Sequence, residues 1–329
     1  MRAWWYKKPG PAVNVLHNDV FTTPGLGPDD VLVKIHVSAI NPTDVKRRTT
    51  GRELGEFPLI IPNNDGSGVI EAVGKNVKPS RVGERVWLFG AQAGRPYGTA
   101  AEYCCLPARQ ARHLPSDESF VDGACLGVPA VTAHRGCFAD GCIDQKTILI
   151  TGGTGRVGQY AIQMAKIAGA TVIATASTSG KADRTRELGA DHVVNYKEES
   201  LLEAVRDLTN GIGVDRFIDV AFGENIASAS RIIKPNGILT SYGSDAITNP
   251  EFPFLPLMQS NILIRPFAIF SMPAEAQESA FETIETWLEA KRLRHAPRQI
   301  YDYDELITAH ETVANAEIEG NCLLNVISM

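Results

Sequence analysis

The sequence predicts an α/β protein in two parts, a β-rich first third followed by a doubly wound parallel sheet. Three observations carry this expectation. Apolar residues alternate with period two before residue 120, strands alternate with helical stretches after it, and a glycine-rich turn joins one strand to the helix behind it. At 329 residues the chain is long enough for about two domains.

In the first part, residues 31, 33, 35, 37 and 39 are apolar while Lys34, His36 and Ser38 point the other way, the period of a half-buried strand. Val69 to Val73 and Arg85 to Phe89 read as further short strands, with Gly66, Gly68, Gly74, Gly83 and Gly90 punctuating a small barrel-like sheet. From about residue 120 the pattern changes. Thr147 to Thr151 is a short apolar run ending in glycines, and Val157, Ala161, Met164, Ala165 and Ala168 then fall on one helical face. Strands at 171–175, 193–194, 217–220 and 238–242 alternate with helices at 181–188, 201–208 and 226–233, which implies a parallel sheet. The tail holds a helical stretch from Ala274 to Arg292, an amphipathic one from Tyr303 to Ala316 and a last strand from Cys322 to Ile327.

Composition excludes several classes. With 44% hydrophobic and 21% charged residues the chain is ordinarily globular, and its 32 Lys and Arg against 38 Asp and Glu give a net charge of −6. That balance lacks the basic excess that drives binding to phosphate backbones, so nucleic acid is not expected as a partner; the run Lys46-Arg-Arg48 reads as a solvated charged turn. The start has no apolar signal region, and no stretch approaches roughly 18 uninterrupted apolar residues; even 262–270 is broken by Arg265. A cytoplasmic protein without membrane contact is expected, with its six cysteines as free thiols. No H-E-x-x-H, C-x-x-C pair or G-x-S-x-G occurs, so neither a metal site nor a serine triad is expected.

Gly153-Thr-Gly155-Arg-Val-Gly158 fits G-x-G-x-x-G, and its position between an apolar strand and a helix is what makes it informative. The glycines allow a sharp turn and close backbone approach to a pyrophosphate, whose charge meets unpaired N–H groups at the helix start. A site selective for NAD places Asp or Glu about 20 residues later, on the adenosine ribose. Here that place reads Ala174-Thr-Ala-Ser-Thr-Ser-Gly-Lys181. It holds no acid to repel a 2′-phosphate, while Ser177 and Thr178 can donate hydrogen bonds and Lys181 adds positive charge, which favours NADP(H).

The series Ala39-Ile-Asn-Pro-Thr-Asp44, Asp65-Gly-Ser-Gly-Val-Ile-Glu-Ala-Val-Gly74, Val82-Gly-Glu-Arg-Val86, Ala100-Ala-Glu-Tyr103, Gly127-Val-Pro-Ala-Val-Thr-Ala133, the glycine turn, and Gly189 to Tyr196 resembles the medium-chain dehydrogenase/reductase superfamily. Within it, the chain is most similar to the zinc-free quinone oxidoreductase branch. The resemblance covers nearly the whole chain in order. It implies a GroES-like β-barrel substrate domain over 1–122, a Rossmann NADP-binding domain over 123–264, a C-terminal segment over 265–329 returning to the substrate domain, and a site in the cleft between the domains. It further implies Asn41 at the nicotinamide end, Thr132 near the nicotinamide ribose, Thr154, Gly155, Arg156 and Val157 at the pyrophosphate, Tyr242 and Gly243 along the cofactor, and Lys181 and Tyr196 flanking the 2′-phosphate.

Zinc-dependent relatives carry a Cys near position 41, Gly-His-Glu around 63–65 and a four-cysteine lobe. This chain has Asn41 and Asn63-Asn64-Asp65, and no such lobe. It also departs from its own branch: Pro-Gly-x-Asp is Pro62-Asn-Asn-Asp65, a turn glycine is Arg156, and two tyrosines are replaced by Lys46 and Glu53, which leaves the shape and charge of the substrate site open. The activity implied is hydride transfer from NADPH to quinones or related conjugated carbonyls, by a homodimer that pairs through residues 262–270. The alternatives are an enone, alkenal or enoyl-thioester double-bond reductase, and an NADPH-binding structural or regulatory protein with little turnover. The thioester variant is disfavoured because a catalytic Tyr of such reductases aligns with Glu53. No dedicated catalytic acid or base is identifiable, which suits a quinone acceptor because its reduced oxygens can take protons from water.

Overall fold

The computed structural model describes residues 1–52, 54–295 and 298–327. In chain order the strands are β1 (Arg2–Trp5), β2 (His17–Val20), β3 (Asp30–Ile40), β4 (Asp65–Val73), β5 (Arg85–Leu88), β6 (Tyr103–Pro107), β7 (Ala111–His113) and β8 (Thr147–Ile150). They continue with β9 (Thr171–Ala176), β10 (His192–Asn195), β11 (Val214–Asp219), β12 (Ile233–Ser241), β13 (Leu263–Pro266), β14 (Arg298–Asp302) and β15 (Asn321–Asn325). Contacts divide the chain into two compact units, one of residues 1–129, 283–290 and 295–329, the other of residues 130–282 and 291–294.

In the first unit β3 is the spine: it pairs antiparallel with β4, β6 and β15 within a sheet ordered β14-β15-β3-β4-β5-β7. The alternation predicted for it holds, since Val31, Val33, Ile35, Val37 and Ala39 are all buried. β4 starts earlier than its apolar residues announce. Gly66 and Gly68 lie inside the strand instead of punctuating it, because β3 runs too close for a side chain. A Cβ at Gly68 would sit 2.0 Å from the Lys34 carbonyl oxygen. Asp65 thereby becomes the first residue of a buried strand.

The second unit is a six-stranded parallel sheet ordered β10-β9-β8-β11-β12-β13. Ile148, Leu149 and Ile150 are fully buried, which explains why β8 reads as a continuous apolar run: a parallel strand is covered on both faces. From β8 the chain moves outward through β9 and β10, then returns to the other side of β8 for β11, β12 and β13. The order therefore reverses between β8 and β11, and ligands bind outside the carboxyl ends of strands at such a point. β13 is the far edge, paired with β12 on one side only.

Gly68→Ala is expected to cost about 2 to 3 kcal/mol through overpacking against β3. Gly25→Ala, where nothing lies within 4 Å of the new Cβ, should stay within about 0.5 kcal/mol. Urea unfolding of the two variants checks this, and equal losses would refute the close-approach argument.

Candidate cofactor site and a buried polar cluster

At the end of β8, Gly152 takes the left-handed conformation (φ +67°) and the helix Arg156–Ile167 starts directly after Gly155, the second glycine of the motif. A Cβ at Gly158 would lie 2.1 Å from the Gly152 carbonyl oxygen, so only glycine lets the helix start this close to the strand. The Gly153 N–H is anchored on the Thr175 carbonyl oxygen at 3.0 Å, and the Gly152 N–H on Thr175 Oγ1 at 3.0 Å. Gly155 is the residue that caps the helix and offers no side chain, and a helix start of this kind can receive an anion on its backbone N–H groups. Thr154, Gly155, Arg156 and Val157 thus form one turn, with Gly155 exposed and the other three half-buried.

Beyond β9, Ser177 is half-buried and Thr178 caps the helix Ser179–Glu187, its Oγ1 accepting the Lys181 N–H at 3.3 Å. The Tyr196 N–H donates to the Ala176 carbonyl oxygen at 3.2 Å just past β10, and its side chain is 51% exposed. The fold therefore gathers Ser177, Lys181 and Tyr196 at the carboxyl ends of β9 and β10, although they span 20 residues of chain.

On the other side of the reversal, Asp219 ends β11 fully buried. Its Oδ1 accepts from Thr151 Oγ1 (2.7 Å), the Ala221 N–H (3.0 Å) and Asn225 Nδ2 (2.9 Å), while Oδ2 is enclosed without a partner. Burial raises its pKa, and those bonds only partly offset the rise. Tyr242 and Gly243 follow β12; a Cβ at Gly243 would meet the Val220 carbonyl oxygen at 2.7 Å. Thr132 is buried in the helix Gly127–Phe138.

Asn41 lies in the first unit, buried at the start of the helix Pro42–Thr50. Its Nδ2 donates to Asp65 Oδ2 at 2.7 Å, and that oxygen also accepts the Val128 N–H at 2.7 Å. The Asn41 N–H donates to Asp44 Oδ2 at 2.7 Å, and Asp44 Oδ1 accepts from both the backbone N–H and Nδ2 of Asn64. Asn63 links Ser38 to His310, with Nδ2 on Ser38 Oγ at 2.9 Å and Oδ1 3.0 Å from His310 Nε2. Burial pushes the Asp65 carboxyl up to about 8, with nearby Asp44 adding to the rise, and pushes Asp44 up to about 6. Burial also holds His310 down at about 3, so it is neutral.

Sequence reasoning does not single out Asp44, Asp65 or Asp219. Asn41-Pro-Thr-Asp44 is a capping pattern with proline at the first helical position, and an acid inside the apolar run Phe217-Ile-Asp-Val220 is the other usable signal. Lys46 is exposed, but Arg47 and Arg48 are buried in the helix Pro42–Thr50, so the run is not the solvated turn expected of it; Glu53 lies outside the described residues. All six cysteines are free thiols, and burial pushes Cys104 and Cys137 up to about 12, which makes them inert.

The residues standing where zinc-dependent relatives hold their metal do not fit a zinc ion. Asn41, Asn63 and Asn64 are amides, both oxygens of Asp44 and Oδ2 of Asp65 already accept N–H donors, and among the described residues no three His, Cys, Asp or Glu side chains gather as ligands. The second unit fits a dinucleotide, because its glycine cradle is one that a Cβ would fill.

Two family models match: the alcohol dehydrogenase GroES-like domain over residues 27–116 and the zinc-binding dehydrogenase domain over residues 157–286. A zinc-type alcohol dehydrogenase-like protein of Schizosaccharomyces pombe is 31% identical over 74% of this chain and 72% of its own. An NADPH-dependent alkenal/one oxidoreductase of Arabidopsis thaliana is 30% identical over 80% and 67%, and a quinone oxidoreductase of Sus scrofa 26% over 94% and 93%. The solved Escherichia coli quinone oxidoreductase complexed with NADPH superposes with a TM-score of 0.87 at 22% identity, covering 99% of this chain and 100% of that one.

Asp65 makes stability depend on pH in a defined direction. Its folded pKa lies above the unfolded value, so its contribution is complete below about pH 4 and is lost as pH rises toward 8. Asp65→Asn should therefore flatten the decline in unfolding free energy between pH 6 and 8. Urea titrations at the two pH values check this, and parallel slopes for both proteins would contradict the assigned protonation.

Proposed function

The chain belongs to the medium-chain dehydrogenase/reductase superfamily, in its quinone oxidoreductase branch, and on that premise we propose that it reduces quinones with NADPH and without a metal ion. It is an NAD(P)H-dependent oxidoreductase by family; the choice of NADPH and of a quinone is the reading argued here. The observation that carries it is the meeting of Ser177, Lys181 and Tyr196 at the ends of β9 and β10, where an NAD-selective site keeps a carboxylate and this chain has none.

Bound NADPH supplies a hydride to a conjugated carbonyl. The chain's residues bind and orient: Ser177, Lys181 and Tyr196 hold the 2′-phosphate, and the turn from Thr154 to Val157 meets the pyrophosphate with backbone N–H groups. Thr132 lies along the nicotinamide ribose, Tyr242 and Gly243 line the nicotinamide half, and Asn41 fixes the nicotinamide end, its amide oriented by Asp65. A quinone's reduced oxygens take protons from water, so the acceptor asks for no dedicated acid. The donor set around Asn41 and Asp65 supports chemistry without zinc, and buried reduced thiols support a cytoplasmic setting. No described helix is long and apolar enough to cross a membrane.

A second reading, reduction of an enone or alkenal, is favoured by the similarity to the alkenal/one oxidoreductase. The assembly proposed is a homodimer through β13. This edge strand presents unpaired backbone groups, with Leu263 45%, Leu255 60%, Phe254 59% and Met258 54% exposed nearby, and pairing with its own copy would cover both.

Lys181→Ala is expected to weaken NADPH binding about 10-fold or more while leaving NADH unchanged. Turnover with 1,4-benzoquinone, 9,10-phenanthrenequinone and an enone, with and without a chelator, completes the test. Equal use of NADH and NADPH by the wild type refutes the 2′-phosphate site, loss of activity on chelation refutes metal independence, and enone turnover alone selects the second reading. NADPH binding with no turnover of any acceptor would instead indicate a binding protein. Leu263→Lys should halve the mass measured by light scattering in solution; an unchanged mass rejects β13 as the interface.

A further inference from the structure

We propose that the Tyr242 hydroxyl is reserved for the nicotinamide half of the cofactor, where it hydrogen-bonds the carboxamide of the ring. The inference rests on the cofactor reading above and deepens it. Ser177, Lys181 and Tyr196 would place the adenosine end over β9 and β10, and the helix behind β8 receives the pyrophosphate. A dinucleotide lying across the reversal point must then run its other half over β11 and β12.

Tyr242 stands at that place with one fixed position. Its N–H donates to the Asp219 carbonyl oxygen at 3.2 Å, and its ring packs against Phe267 with centroids 6.3 Å apart. The side chain is half-buried, and its hydroxyl makes no hydrogen bond to any described residue. Burial, with the Asp219 carboxyl adding to it, raises the phenol's pKa, so the group stays neutral and can donate at any working pH.

An anchored neutral hydroxyl without an internal partner gives up no protein bond when a ligand arrives, which makes it a specific contact at little cost. In the nicotinamide half, the carboxamide is the ring's only hydrogen-bonding substituent. It both donates and accepts, as does the phenol.

The test is Tyr242→Phe, read by calorimetry on the metal-free, substrate-free protein with three ligands: NADPH, 2′-phospho-ADP-ribose, which keeps the second ribose and lacks nicotinamide, and 2′,5′-ADP. The expected result is NADPH binding weakened about 3- to 10-fold, both fragments unchanged within about 2-fold, and a melting temperature within about 1 °C of wild type. Unchanged NADPH affinity overturns the proposal, and so does an equal loss for 2′-phospho-ADP-ribose, which would place the hydroxyl on the ribose. A wild type that binds neither NADPH nor 2′,5′-ADP overturns the cofactor reading itself.

Discussion

A side-chain carbon at Gly158 would collide with the Gly152 carbonyl oxygen at 2.1 Å, and the arrangement of the second unit depends on that contact being possible. Because the backbone closes this tightly, the helix begins just past the end of β8, and its cap Gly155 makes no side-chain hydrogen bond. The Thr175 anchor then ties β9 into the same turn. Once β8, β9 and the helix start are fixed, the ends of β10, β11 and β12 follow from sheet register. The positions of Tyr196, Asp219 and Tyr242 are consequences of that register.

The first unit solves a different problem, the burial of acids and amides. Asp44 and Asp65 sit side by side away from water, which is costly for two charges, and the structure answers with N–H donors and with protonation. Asp65 also explains a glycine. A Cβ at Gly127 would fall within 2.1 to 2.5 Å of the Asp65 carboxyl atoms, so the carboxyl reaches the Val128 N–H only because position 127 has no side chain. A single carboxyl thus fixes both the Asn41 amide and the entry of the chain into the helix Gly127–Phe138.

Much of this was legible in advance. The alternation in β3, the apolar run of β8, the glycine turn and the helix behind it follow from local periodicity, and the places of Ser177 and Tyr196 just past β9 and β10 follow from the strands that precede them. Gly66 and Gly68 lie inside β4 although glycine's commonest meaning is a turn, because the nearness of β3 leaves no local trace. The chemistry of Asp65 leaves no mark in the sequence around it. Its partners Asn41 and Val128 are 24 and 63 residues away, a distance over which no period or propensity carries information.

The sequence by itself determined the main strands and helices of the second unit, the place of the glycine turn behind β8, and that residues 174–181 hold no acid, since all three are written within a few neighbouring residues. Only the tertiary structure decided which acids are buried and raised in pKa, that Asp219 joins β8 to β11 through Thr151, and that the Tyr242 hydroxyl has no partner among the described residues. The reason is physical. Protonation and hydrogen-bond satisfaction depend on what surrounds a group in space, and the surroundings of a buried group are supplied by distant parts of the chain.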